Sequence, residues 1–198
     1  MYFKEFDNMA EIHPESVSES GKYKIRHQDV TEPDMFQKLR NPELAGQLDQ
    51  NVCVLVDTEK REIVMSDSWM EQETNIGIVR QAKGHVLIAG LGMGMIVLAM
   101  QKNPEVKSIT VVEIDAELAA FTSSNLDLYD KVEIVISDIH DFVPTKKYDT
   151  VYCDIWNNIS GDNMEEMEEL TCALQSDSNA DIKHWRYTKT IELWEEDN

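Results

Sequence analysis

Residues 85–95, His-Val-Leu-Ile-Ala-Gly-Leu-Gly-Met-Gly-Met, decide how this chain folds. Val86 to Ala89 is a short apolar run of the kind a strand buried on both faces shows, and it stops at Gly90, Gly92 and Gly94, glycines at every second position. The pattern predicts a strand, a tight turn and a helix from Met95 to Lys102. Downstream, Ser108 to Val112 predicts a second strand that ends at Glu113. Glycines permit the turn and leave bare backbone for a ligand at the amino end of the helix. A carboxylate at the tip of the neighbouring strand accepts hydrogen bonds from both hydroxyls of a ribose. Both belong at the carboxyl edge of one sheet, so a nucleoside site is expected there.

Working outward, Asp115 to Leu126 predicts a helix with Leu118, Ala119, Phe121 and Leu126 facing inward, followed by a third strand, Val132 to Ile136. A fourth, Thr150 to Cys153, ends in Asp154. The β-α-β alternation argues a parallel sheet with right-handed crossovers and helices on both faces, so the fold class is α/β. Asp162 to Glu165 has the form of a helix cap, after which Met164, Met167, Leu170 and Leu174 fall on one stripe. Asp181 to Glu196 predicts a final helix with Ile182, Trp185, Ile191 and Trp194 partly buried, and no fifth parallel strand is found. Upstream, Asn51 to Asp57 and Glu62 to Ser66 predict a β-hairpin around Thr58-Glu59-Lys60-Arg61, and Tyr23 to Val30 an edge strand. Thr74 to Lys83 predicts a helix ending on Gly84. These readings divide the chain into a poorly ordered or loosely draped segment, 1–20, a small β region, 21–72, and an α/β domain, 73–198.

The chain has 198 residues and a formal net charge of −20. A polyanion is repelled by nucleic acid unless a basic face is segregated, and no basic cluster is present, so a small cationic or neutral substrate is favoured. A solubilising surface or a salt-adapted host explains the charge equally well. No apolar run approaches the ~20 residues that cross a bilayer. The first residues lack the regions of a signal peptide, so a soluble, cytoplasmic protein is expected. Cys53, Cys153 and Cys172 show neither disulfide nor zinc spacing and are expected to be reduced and partly buried. His13, His27, His85, His140 and His184 are scattered, so no metal site is expected. A homodimer is left open.

The dinucleotide fingerprint G-x-G-x-x-G/A requires a small sixth residue, where this chain has Met95. Gly90-Leu91-Gly92-Met93-Gly94 instead resembles the first motif of class I S-adenosylmethionine (SAM) dependent methyltransferases. The hairpin, the segment Met65-Ser-Asp-Ser-Trp-Met-Glu-Gln-Glu-Thr and the glycine motif together resemble the spermidine synthase branch of that fold. Val112-Glu113-Ile114-Asp115 is similar to its ribose-binding segment, and Ser137-Asp138 resembles its adenine-contacting acid. The resemblance spans about residues 50 to 170. It implies a Rossmann-like sheet of the SAM-methyltransferase type, with SAM or decarboxylated SAM held at Gly90, Leu91, Gly92, Gly94, Glu113, Ile114, Asp138 and Ile139. That sheet usually has seven strands, so a chain truncated at its carboxyl end is expected.

Departures from the family sharpen the reading. Aminopropyltransferases carry G-G-G-D-G, and Met93 replaces the aspartate that engages the ligand's amine. They place two aspartates after the fourth strand, whereas Asp154-Ile-Trp-Asn157 keeps only the first, and Asn157 cannot act as a base. Methyltransferases commonly have an acid where Ile88 stands, so contact with the ligand's amino group is expected from Asp67 or Asp154. Asp154 is the candidate catalytic residue, orienting an amine or acting as general base; the alternative is a loop cap. Trp156 is a candidate aromatic wall for a cation, or a packing residue. Trp69 and Glu71 form a lid or a plain linker, Met93 a ligand contact, Met95 part of the core. His140 helps order the loop after Asp138. Glu165, Glu166, Glu168 and Glu169 read as a solvated face, or a polyamine surface. The reading is methyl transfer from SAM to a small molecule. The alternatives are aminopropyl transfer from decarboxylated SAM, or a non-catalytic SAM-fold protein that binds partners through its acidic surface.

Overall fold

The computed structural model describes residues 3–31, 35, 39, 50–156, 160–175 and 181–184. In chain order its elements are α1 (Met9–Ile12), β1 (Ser16–Val17), β2 (Tyr23–Val30), β3 (Gln50–Asp57), β4 (Glu62–Ser66) and α2 (Trp69–Gln81). There follow β5 (Gly84–Ala89), α3 (Met95–Gln101), β6 (Val106–Glu113), α4 (Ala116–Ser123), β7 (Val132–Ile136), β8 (Thr150–Cys153), α5 (Met164–Gln175) and β9 (Asp181–His184).

Period-two burial explains the larger sheet. In β5, Val86 and Ile88 point to one face and Leu87 and Ala89 to the other, and all four are buried. Strands buried on both faces belong in parallel sheets covered by helices, and the order is β7-β6-β5-β8-β9 with parallel pairing throughout. One face packs Ile88, Ile109, Val111 and Tyr152 against α2, α3 and α4; the other packs Leu87, Val112 and Val151 against Leu170 and Leu174 of α5. Every residue of α3 is buried, as expected of a helix that is apolar on all sides. The chain builds outward from β5 to β7 and then returns to β5's other side with β8. That reversal opens a crevice at the carboxyl ends of β5 and β8, where ligands bind in sheets of this kind.

The smaller sheet is antiparallel, in the order β1-β2-β3-β4, and sends Tyr23, Ile25, Cys53 and Leu55 into the cluster that contains α3. The expected hairpin is β3 and β4. The strand expected at Tyr23–Val30 is β2, which pairs along its whole length with β3 and, at Lys24 and Ile25, also with the two-residue β1, so that part of it is not at the edge.

Several boundaries differ from the sequence reading. The first twenty residues are not loosely draped where described: α1 and β1 form, Met9 and His13 are buried, and the buried Asp67 carboxylate accepts Cys53 N–H at 2.7 Å and Met9 N–H at 3.3 Å. Helix α2 starts at Trp69 rather than Thr74, and Gly84 opens β5 at φ +65° instead of ending the helix. Helix α4 stops at Ser123, short of Leu126, with Asp115 as its cap.

The main correction concerns β9. Asp181 to His184 is a fifth parallel strand against β8, with Ile182 packed on the α5 side, where a helix was expected. The rest of that expected helix, with Trp185, Ile191 and Trp194, lies outside the described residues. The cysteines are free, Cys53 and Cys153 buried and Cys172 exposed. Among the described residues no helix is long and apolar enough to cross a membrane.

Candidate functional site

A cavity of about 570 Å³ opens at the crevice, within the range of roughly 300–1,000 Å³ that small-molecule sites occupy. Its floor is the loop after β5, which the fold ties down at several points. Gly90 N–H donates to Val112 O at 2.8 Å, Leu91 N–H to Glu113 Oε2 at 2.9 Å, and Thr122 Oγ1 to Gly92 O at 2.7 Å. Gly90, Gly92 and Gly94 have φ of +94°, +53° and +78°, values that exclude most side chains. Each also has a neighbour that a β-carbon would strike: the Asp154 carbonyl oxygen at 2.3 Å, Met65 Sδ at 2.1 Å and Leu126 Cδ1 at 2.5 Å. Protein atoms therefore require these glycines, in addition to the turn that the sequence reading assigned to them.

Acids stand at the carboxyl ends of three strands of the parallel sheet and line the cavity: Glu113 as the last residue of β6, Asp138 after β7 and Asp154 after β8. Glu113 is buried, and besides Leu91 its Oε1 accepts Asp115 N–H at 2.9 Å. Asp138 Oδ1 accepts the His140 backbone N–H at 2.9 Å and pairs with His140 Nδ1 at 2.8 Å. The His140 N–H, with the ring beside it, holds that carboxyl below its usual range. Asp154 sits half-buried at the cavity wall; burial, reinforced by the Glu71 carboxylate, pushes its carboxyl up to about 8.

Gly90, Leu91, Gly92, Ile114, Ile139, Glu71 and Trp156 also line the cavity. Gly94 does not; it caps α3. Trp69 stacks on Phe3, ring centroids 6.5 Å apart, and is absent from the lining. Asn157 lies outside the described residues. Asp67 is committed to Cys53 and Met9, burial pushes it up to about 6 against those hydrogen bonds, and it does not line the cavity, whereas Asp154 does. The Met93 side chain is fully buried and does not line the cavity, and the Met93 carbonyl takes His13 Nε2–H at 2.9 Å.

Two features escaped the sequence reading. The antiparallel sheet walls one side of the cavity with Lys22, Tyr23, Ile63 and Met65, among others, and Lys22 and the Tyr23 hydroxyl, the latter at 2.9 Å, both bind Asp115. Glu166, expected on a solvated face, accepts Trp156 Nε1–H at 2.6 Å and lies 3.4 Å from His140 Nε2. It links the loops after β7 and β8, a contact between segments far apart in sequence that no local pattern signals. The described residues hold no cluster suited to a metal ion.

No protein-family model matches the chain, and no curated protein matches it. Among solved structures it is similar to a DhpI–SAH complex, at 20% identity over 57% of this chain and 54% of that chain, TM-score 0.45. A DhpI–SAM–HEP complex matches at 18% identity, 64% and 58% of the two chains and TM-score 0.47. A SAM-dependent methyltransferase from Clostridium acetobutylicum matches at 15%, 54% and 44%, TM-score 0.40. The chain thus spans 54% and 58% of the length of the DhpI chains. Likenesses of this degree carry no argument about activity. The strand order and crossovers themselves make the parallel sheet Rossmann-like, of the SAM-methyltransferase type, with a separate antiparallel sheet beside it.

Proposed function

We propose that this chain binds SAM in the cavity and transfers its methyl group to a small molecule. One observation carries the reading: Glu113 meets the glycine loop through Leu91 N–H on the same cavity wall that Asp138 and Asp154 flank. The residues fit the cofactor. Each Glu113 oxygen gives one lone pair to a backbone N–H and keeps another for a ribose hydroxyl. Asp138 would accept an exocyclic adenine amine, a reading supported by its position on the cavity wall together with the apolar Leu91 and Ile139. Glu71, and Asp154 in its ionised form, supply negative charge for an ammonium or a sulfonium.

When bound, the cofactor supplies a methyl group on a positively charged sulfur. The chain has to hold the adenosine, set the acceptor in line with that methyl group, and take up the acceptor's proton. Asp154 suits the last role, since a carboxyl pushed up to about 8 exists in both forms near neutral pH. An acid-lined cavity favours a cationic or neutral acceptor, an amine above all.

Calorimetry with SAM, S-adenosylhomocysteine (SAH) and decarboxylated SAM tests this. SAM and SAH are expected to bind, and Glu113→Ala to weaken both by about tenfold or more, the loss of a charge-assisted pair of hydrogen bonds. Preference for decarboxylated SAM, with spermidine formed from putrescine, would move the assignment to aminopropyl transfer. Binding of none of the three overturns the reading and leaves a scaffold.

A further inference from the structure

The three glycines of the loop make room for different neighbours, and one of these can leave. Gly90 makes room for the Asp154 carbonyl, fixed by the Asp154 N–H bond to Ala89 O at 2.9 Å, and Gly94 for Leu126, which packs against the core. Gly92 makes room for the thioether of Met65, at the far end of an unbranched side chain. Gly92 and Met65 both line the cavity.

Met65 is held there by a weak tie. Its sulfur accepts Met93 N–H at 2.9 Å, and a thioether is a poor acceptor where a carboxylate would be a strong one. The strand is also shaped for it: Leu55 pairs with Met65 and Val56 with Ile63, so Val64 is skipped as a bulge. Bulges re-aim side chains and recur beside binding sites.

We propose that Met65 is a displaceable plug standing where the amino-acid end of SAM binds, so that it discriminates among adenosine ligands by whether they carry that end. The proposal rests on the adenosine-binding reading above. A ligand without the amino-acid end, such as 5′-methylthioadenosine, fills the ribose and adenine regions and leaves Met65 on Gly92. SAM and SAH turn it away and give Met93 N–H to their own carboxylate. Their apparent affinity is then reduced by the fraction of molecules in which the plug has not moved.

The test compares SAH with 5′-methylthioadenosine on the full chain. Calorimetry of Met65→Ala is expected to show SAH binding tightened about tenfold and 5′-methylthioadenosine changed by less than about twofold. In wild-type protein labelled at the methionine methyl carbons, the Met65 resonance, assigned with Met65→Leu, is expected to shift with SAH and to stay with 5′-methylthioadenosine. Equal changes for both ligands, or an unmoved Met65 methyl under saturating SAH, overturn the plug while leaving the nucleoside site intact. Should Met65→Ala fail to fold, the wild-type resonance decides alone. Binding of neither ligand removes the adenosine reading and the plug together.

Discussion

Asp154 carries a stability cost that its proposed role explains. In the unfolded chain an aspartate ionises near ~3.9, whereas in the folded protein this one is pushed up to about 8. Between those values the folded state holds a proton that the unfolded state has lost, so this group's contribution to stability falls as pH rises through the window. Asp67, pushed up to about 6, acts in the same direction over a shorter span. Asp115 opposes them: burial works to raise it, but hydrogen bonds from Lys22, Leu118 N–H and Tyr23 outweigh that and bring it down to about 2, so its contribution is lost only as pH falls below the ordinary range. Asp154→Asn is therefore expected to gain on the wild type in thermal stability as pH rises from about 5 to about 8, by on the order of 2 kcal/mol once cavity water has screened part of the shift. Methyl transfer should be lost in the same variant. Equal melting differences at the two pH values would show that the carboxyl is not held neutral by the fold.

The loop between β5 and α3 is the element on which sheet and site both depend, and its glycines are not equivalent. Gly90→Ala adds a β-carbon 2.3 Å from a backbone oxygen of β8's end, at φ +94°. Backbone there cannot yield without unpairing β8 from β5, so a loss of about 3 kcal/mol or more is expected in urea denaturation. Gly94→Ala, at φ +78°, meets only the tip of Leu126 and should cost about 1–2 kcal/mol, the left-handed penalty alone. A Gly90→Ala variant as stable as Gly94→Ala would contradict the placement of the loop. At this scale the sequence was legible where both faces of a strand are buried: β5, β6 and β8 are written in largely apolar runs that end at Gly90, Glu113 and Asp154. β9 was not, because Asp-Ile-Lys-His is short, polar and helped only by Ile182. α1 was not, because what holds it is the Asp67 carboxylate far along the chain.

Across the whole molecule, strand periodicity brought Glu113, Asp138 and Asp154 to one sheet edge, since each follows a strand whose end can be read. The contribution of the antiparallel sheet could not be read, because Met65 reaches Gly92 through a bulge and through packing between sheets, neither of which leaves a local pattern. The charge of −20 ties the molecule to its ligand in a way that contacts alone do not. SAM carries one more positive charge than SAH, at the sulfur, and in the proposed orientation both would place the same groups on Glu113 and Asp138. Their difference in affinity thus reports the potential at the Asp154 end, to which Glu71 and the acidic surface both add. Raising ionic strength from about 0.02 M to about 0.3 M shortens the screening length from roughly 20 Å to roughly 6 Å and removes the distant part of that potential. SAM binding should weaken about three- to tenfold over this range while SAH binding changes by less than about twofold, and the fold itself should gain stability as self-repulsion is screened. Parallel titrations of the two ligands at both salt concentrations check this. An unchanged ratio of their dissociation constants would mean that the sulfur lies beyond the reach of that field, and the orientation of the ligand proposed here, with adenine toward Asp138 and sulfur toward Asp154, would have to be reversed.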